Sequence, residues 1–199
     1  MAFEAKGTIN ERLSGDAVKA PGVVPPRFHA ETRERQLPSG LLKSTQWTFD
    51  GISITHVRSE LNAPLTLQLH DDSDVITMLF NLRGKITMSP DTQELSASQH
   101  NLFYEPECSS HIHAEALPLE LFLVQLPKNK FLELTRECPD ELQLFNEQLK
   151  AGMRTALAAK PLNTDLHLIT GINAMLQCAL ADALKGIGLK EVDVIIECS

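Results

Sequence analysis

The stretch His111-Ile112-His113-Ala114-Glu115 sets two imidazoles and a carboxylate at alternate positions. On a strand, side chains alternate with period two, so all three would leave the same face. Imidazole and carboxylate are ligands for zinc, iron, copper or manganese. His100, earlier in the chain, is a further donor if the fold brings it across. The same spacing equally describes the solvent side of an antiparallel strand, with Ile112 and Ala114 turned inward. Both readings stand at this level. The run that follows, LELFLVQL at 119–126, adds no histidine.

Other chemistry finds less material. There is no GxSxG, no glycine-rich phosphate loop and no HExxH, so the reactions those motifs serve have no candidate residues, and the chain is expected not to be an enzyme. Asp71-Asp72 reads as a turn. Cys108, Cys138, Cys178 and Cys198 are scattered without a CxxC pair, which removes zinc-ribbon and thioredoxin readings. Cys178, within NAMLQCALADAL, reads as a small buried hydrophobe. No cofactor is expected. A small-molecule site is expected from His56, Met78, Phe80 and Tyr104. His56 follows Ile52 and Ile54 at period two, Met78 and Phe80 share a face with Ile76 and Leu82, and Tyr104 shares one with Leu102. If these faces turn into a barrel, they give the mostly apolar wall with a few polar groups that ligand pockets use. Core packing is the competing role for each.

The elements that must position these residues follow from periodicity. Residues 1–45, with KAPGVVPPRFHAETRERQLPSG, mix proline, glycine and charge and read as an extended arm. From 46 to 126, nine short runs alternate or are densely apolar: 46–49, 52–58, 64–70, 74–82, 85–89, 93–97, 101–105, 111–115 and 119–126. Turn residues such as Asp50-Gly51, Arg83-Gly84 and Pro90-Asp91 separate them. No helix-length segment intervenes, so an antiparallel jelly roll or barrel is predicted. From 127 to 199 the period becomes helical, with KNKFLELTREC, DELQLFNEQLKAGM, NTDLHLITGINAMLQCALADALKG and a last helix from Lys190. Asn163, Thr164 and Asp165 are capping candidates for the third. Its face of Leu168, Ile172, Met175, Leu176, Ala179, Leu180 and Ala183 is wide enough to predict a homodimer. Full burial of that helix is the alternative.

Composition sets the outer bounds. With 199 residues, 43% apolar and 22% charged, the chain can build a core without disulfides. A formal charge of −8 argues against a general affinity for nucleic acid or anionic membrane. No apolar run reaches the roughly 18 residues of a membrane span, and the first residues lack a signal core, so the cytoplasm is expected.

The runs DDSDVITMLFNLRGKITM, QHNLFYEPE and LELFLVQLPKNKFLEL resemble the N-terminal domain of AraC-type transcription regulators. The tail INAMLQCALADALKGIGLKEVDVII is similar to the segment preceding the DNA-binding domain in the siderophore-regulator-like branch, with Val192 and Asp193 where small and basic residues are usual. The resemblance spans about residues 37–198. It implies an α+β, mainly β fold: a cupin-like double-stranded β-helix followed by C-terminal helices. It also implies a small-molecule effector in the barrel, dimerisation through the helices, and DNA contact only through a helix-turn-helix domain not present in this chain. From Asp140 to Ser199 there are eight acidic and five basic residues, a poor composition for a recognition helix. A chain ending within a helix is expected to be either a shortened regulator or a stand-alone sensor. The resemblance also leaves a metal-dependent cupin enzyme, an oxygenase or isomerase using His111 and His113, as the second expectation.

Overall fold

The computed structural model describes residues 2–5, 29–70, 74–89, 92–106, 111–136 and 142–186, with side chains described there except at 2–5, 29, 68–70 and 178–186. The chain divides into two compact units, Met1–Asn163 and Thr164–Ser199.

The first unit is built from strands β1 (Ala2–Ala5), β2 (His29–Leu37), β3 (Gly40–Phe49), β4 (Ile52–Leu61), β5 (Leu65–His70), β6 (Val75–Arg83), β7 (Ile86–Ser89), β8 (Gln93–Leu95), β9 (Gln99–Tyr104), β10 (His111–Ala114) and β11 (Pro118–Pro127). Helices α1 (Lys128–Leu134) and α2 (Gln143–Lys150) follow, then the two-residue strands β12 (Thr155–Ala156) and β13 (Leu162–Asn163). A five-stranded sheet runs β1-β5-β10-β7-β8, and an eight-stranded sheet runs β12-β9-β6-β11-β4-β3-β2, with β13 also on β9. The pairings are antiparallel, as expected for short strands joined by turns.

Both faces of the large sheet are used. Leu42, Val57, Leu79, Phe103, Leu121 and Leu123 meet Leu67, Ile86, Met88, Leu95, Ile112 and Ala114 of the small sheet in one apolar layer. On the opposite face Ile76, Leu102 and Tyr104 pack under Phe131 of α1 and Phe145 and Leu149 of α2. The two phenyl rings meet edge-on at 5.7 Å, a favoured aromatic geometry.

The mainly β character and the nine predicted runs appear as β3 to β11. Three differences have physical causes. The 1–45 arm contains strands: β1 pairs with β5, and β2 with β3 forms the hairpin at one edge of the large sheet. HAETRERQL carries no apolar alternation because residues 30–36 bury neither face. The boundary placed at 45/46 falls inside β3. The helices expected from 127 onward are interrupted by β12 and β13, whose backbones return to β9; two-residue strands are too short to show a period. The predicted helix from Lys190 lies outside the described residues.

The β2–β3 turn depends on Gly40. Its φ is +132°, and a Cβ there would stand 2.2 Å from the Glu60 carbonyl oxygen, so only glycine lets β3 approach β4 this closely.

The second unit contains α3, Leu166–Gly186. Of the capping candidates, Asp165 starts the helix: its Oδ1 accepts the Leu168 N–H at 2.8 Å and its carbonyl accepts the Ile169 N–H at 3.0 Å.

Candidate functional site

His56, Met78, Phe80 and Tyr104 do share a face of the large sheet. Cross-strand register aligns Thr45, His56, Phe122, Phe80 and His100 in one row and Ile54, Val124, Met78 and Leu102 in the next. That face is the outer one, turned away from the small sheet, which corrects the expected placement inside a barrel. Parity along a strand says which side chains go together, not which side meets the second sheet. In β4 the inward residues are Ser53, Thr55, Val57 and Ser59, a set that reads as a solvent face from sequence.

Each of the four side chains has identifiable packing. The His56 Nε2–H donates to Glu120 Oε1 at 2.8 Å, and the Arg58 Nε–H donates to the same oxygen at 3.0 Å. Burial, opposed by Glu120, holds the His56 imidazole below its ordinary value. Burial pushes the Glu120 carboxyl up, but the His56 and Arg58 hydrogen bonds outweigh it and leave it lowered. The Phe80 ring stacks on His100 at 5.1 Å, and half-buried Met78 packs against the layer under α1 and α2. The Tyr104 hydroxyl donates to Asp74 Oδ1 at 2.6 Å and accepts from Lys128 Nζ at 3.1 Å. Burial first, then Asp74, raises its pKa. Tyr104 thus joins β9, the start of β6 and α1.

The metal set is not brought together. His111 and His113 lie side by side, ring centroids 6.5 Å apart, and alternate with the buried Ile112 and Ala114. They therefore line the outer face of the small sheet. His113 Nδ1 is hydrogen-bonded to Thr66 Oγ1 at 2.9 Å. Glu115 pairs with Lys85 at 3.3 Å, and Lys85 also reaches Glu94 at 3.4 Å. His100 is on the outer face of the other sheet, so the apolar layer separates it from the pair. Among the described residues, no group of three or more His, Cys, Asp or Glu is placed to hold a metal ion.

A different cluster has the character of a binding site. On the inward face of β2, β3 and β4, Glu31, Arg33, Arg35, Ser44, Gln46 and Thr55 surround a cleft with Leu42 as its apolar wall. Register explains the convergence: Glu31 is opposite Gln46 and Arg33 opposite Ser44, while Gln46 is opposite Thr55. Arg33 donates through Nε and Nη2 to the two carboxylate oxygens of Glu31 at 2.7 and 2.9 Å. Gln46 Nε2 donates to Ser53 Oγ at 2.8 Å. Thr55 is only 2% exposed, yet its hydroxyl has no hydrogen-bond partner among the described residues. The cavity is about 20 Å³, room for about one water. Sequence reading missed it because five of its seven residues fall in the 1–45 stretch read as an arm, and Gln46 and Thr55 read as solvent-facing.

The predicted dimer face lies on α3. Leu168 and Met175 are exposed, Ile172 buried and Leu176 half-buried; the side chains of Ala179, Leu180 and Ala183 lie outside the described residues. Among the described residues, no helix is long and apolar enough to cross a membrane.

No protein-family model and no curated protein matches the sequence. Among solved structures, the chain is similar to the AraC-like transcriptional activator CuxR, at 12% identity over 74% of this chain and 52% of that one, with a TM-score of 0.45. It is similar to an RmlC-like cupin from Shewanella frigidimarina at 13% identity, 49% and 85% coverage and a TM-score of 0.35. Oxalate decarboxylase OxdC from Bacillus subtilis matches at 15% identity, 73% and 44% coverage and a TM-score of 0.34. The chain spans about half the length of the AraC-like activator.

Proposed function

We propose that the chain is a cupin-like sensor: the effector-binding and dimerisation module of an AraC-type transcription regulator, from the siderophore-regulator-like branch. The effector binds at the cleft between β2, β3 and β4, not on the face of His56, Met78, Phe80 and Tyr104. A second copy pairs along α3. The module works in the cytoplasm and reaches DNA only through a helix-turn-helix domain outside these 199 residues.

The observation that carries the binding role is the Thr55 hydroxyl, buried at the cleft without a partner among the described residues. A buried hydroxyl left unmatched is destabilising, and a residue kept at such a cost is understandable where a ligand supplies the missing bond. The arginines and hydroxyls around it are the convergent polar groups of a recognition site.

The test is a metabolite library screened by thermal shift on the full chain. Stabilising compounds are expected with wild type, absent with Thr55→Val and retained with Arg58→Ala, which lies on the opposite face. Compounds that stabilise wild type and Thr55→Val equally would remove the cleft as the effector site.

A further inference from the structure

We propose that the cleft recognises the carboxylate head group of a small organic acid, and that Glu31 is a built-in competitor for it. This rests on the cleft being the effector site and adds the ligand's chemical class.

The hydrogen-bonding inventory of the cleft is weighted toward donors. Arg33 carries only donors. Thr55 has an unused hydroxyl proton at a buried position, and Ser44 can donate a second. The Gln46 amide N–H₂ is engaged with Ser53. What satisfies such a set is an acceptor with more than one oxygen and a negative charge. Guanidinium and carboxylate match as two parallel hydrogen bonds, and this geometry is already present: Arg33 holds the Glu31 carboxylate at 2.7 and 2.9 Å. Glu31 shows the pose an incoming carboxylate would take.

Displacing Glu31 from Arg33 gives up an exposed ion pair. Both partners are nearly half exposed, and exposed ion pairs contribute little. They are also two residues apart on an edge strand, so the pair ties no distant part of the fold together. The size of the cavity sets the second limit. At about 20 Å³ it admits a head group, not a whole metabolite, so the remainder of the acid lies over the exposed β2. A neutral sugar could not replace the Glu31 carboxylate on Arg33; a metal ion would meet cationic donors.

The site therefore has a signature that a structural ion pair lacks. Removing the internal carboxylate should strengthen binding, while removing its arginine should abolish it. The probe is butyrate, with butyramide as the uncharged control, titrated into the ¹⁵N-labelled full chain and followed by NMR. Butyrate is expected to shift the amides of Arg33, Ser44 and Thr55, and butyramide to leave them unmoved. Glu31→Gln should lower the dissociation constant about threefold, and Arg33→Gln should remove the response. Equal or weaker binding in Glu31→Gln, an unchanged response in Arg33→Gln, or equal shifts with butyramide would each overturn the proposal. If the Thr55-dependent thermal shift from the library persists while butyrate fails, only the carboxylate class falls; if both fail, the cleft falls with it.

Discussion

Thr55 condenses the difference between a residue's fold role and its binding role. Valine has nearly its shape without the hydroxyl. Thr55→Val should therefore raise stability by about 1 kcal/mol, the order of the penalty for an unmatched buried polar group, measured as a higher urea midpoint at constant m value. The same change should weaken effector response. His56 gives a second residue-scale expectation. Its folded pKa lies below the ordinary 6.5, so its contribution is complete above that pH and is lost as pH falls toward the folded value, where the unfolded chain binds the proton first. Glu120, also lowered from 4.5, adds a further loss below that pH. Urea unfolding from pH 8 to pH 5 should show stability level above pH 6.5 and falling below it, with the slope reduced in His56→Gln. The chemistry of His56 was legible in the sequence only as a polar group on an apolar strand face. Its carboxylate partner is 64 residues away, and no local pattern announces it. The cleft was still less legible: Arg33 and Thr55 meet only through strand register.

At the scale of elements, alternation located β3 to β11 because each buries at least one face, and burial writes a period into the sequence. It did not reveal β2, which is exposed on both faces. It also misassigned the two sides of β4, because the large sheet is apolar outward under α1 and α2 and partly polar inward beside the cleft. An outward Ile54 and an inward Thr55 invert the usual pattern. The hairpin that carries Arg33 into place depends on one position. Gly40→Ala puts a methyl group against the Glu60 carbonyl and forces a conformation that side chains avoid, at about 1–3 kcal/mol or more. Chemical denaturation should show that loss, and the NMR signals of β2 should move most, because among the described residues β2 pairs with β3 alone.

At the scale of the molecule, the helical period of α3 was the most readable feature, and Asp165 was among the predicted caps. What α3 meets was not readable, since an apolar stripe has the same sequence whether it faces its own chain or another. The proposed pairing predicts a dimer by light scattering at tens of micromolar, converted to monomer by Leu176→Glu with the strand signal in circular dichroism retained; a monomeric wild type would refute it. The return of β12 and β13 to β9 has a consequence for synthesis. β9, rich in buried Leu102, Phe103 and Tyr104, has one side hydrogen-bonded to β6 and the other to residues 155–163. A growing chain exposes that second side until the later segment has been made, with α1 and α2 still to be translated in between. A fragment ending before Thr155 never covers it and keeps an apolar strand edge open to other chains, the condition under which nascent β proteins aggregate. Completion of the sheet thus waits on residues that follow two helices.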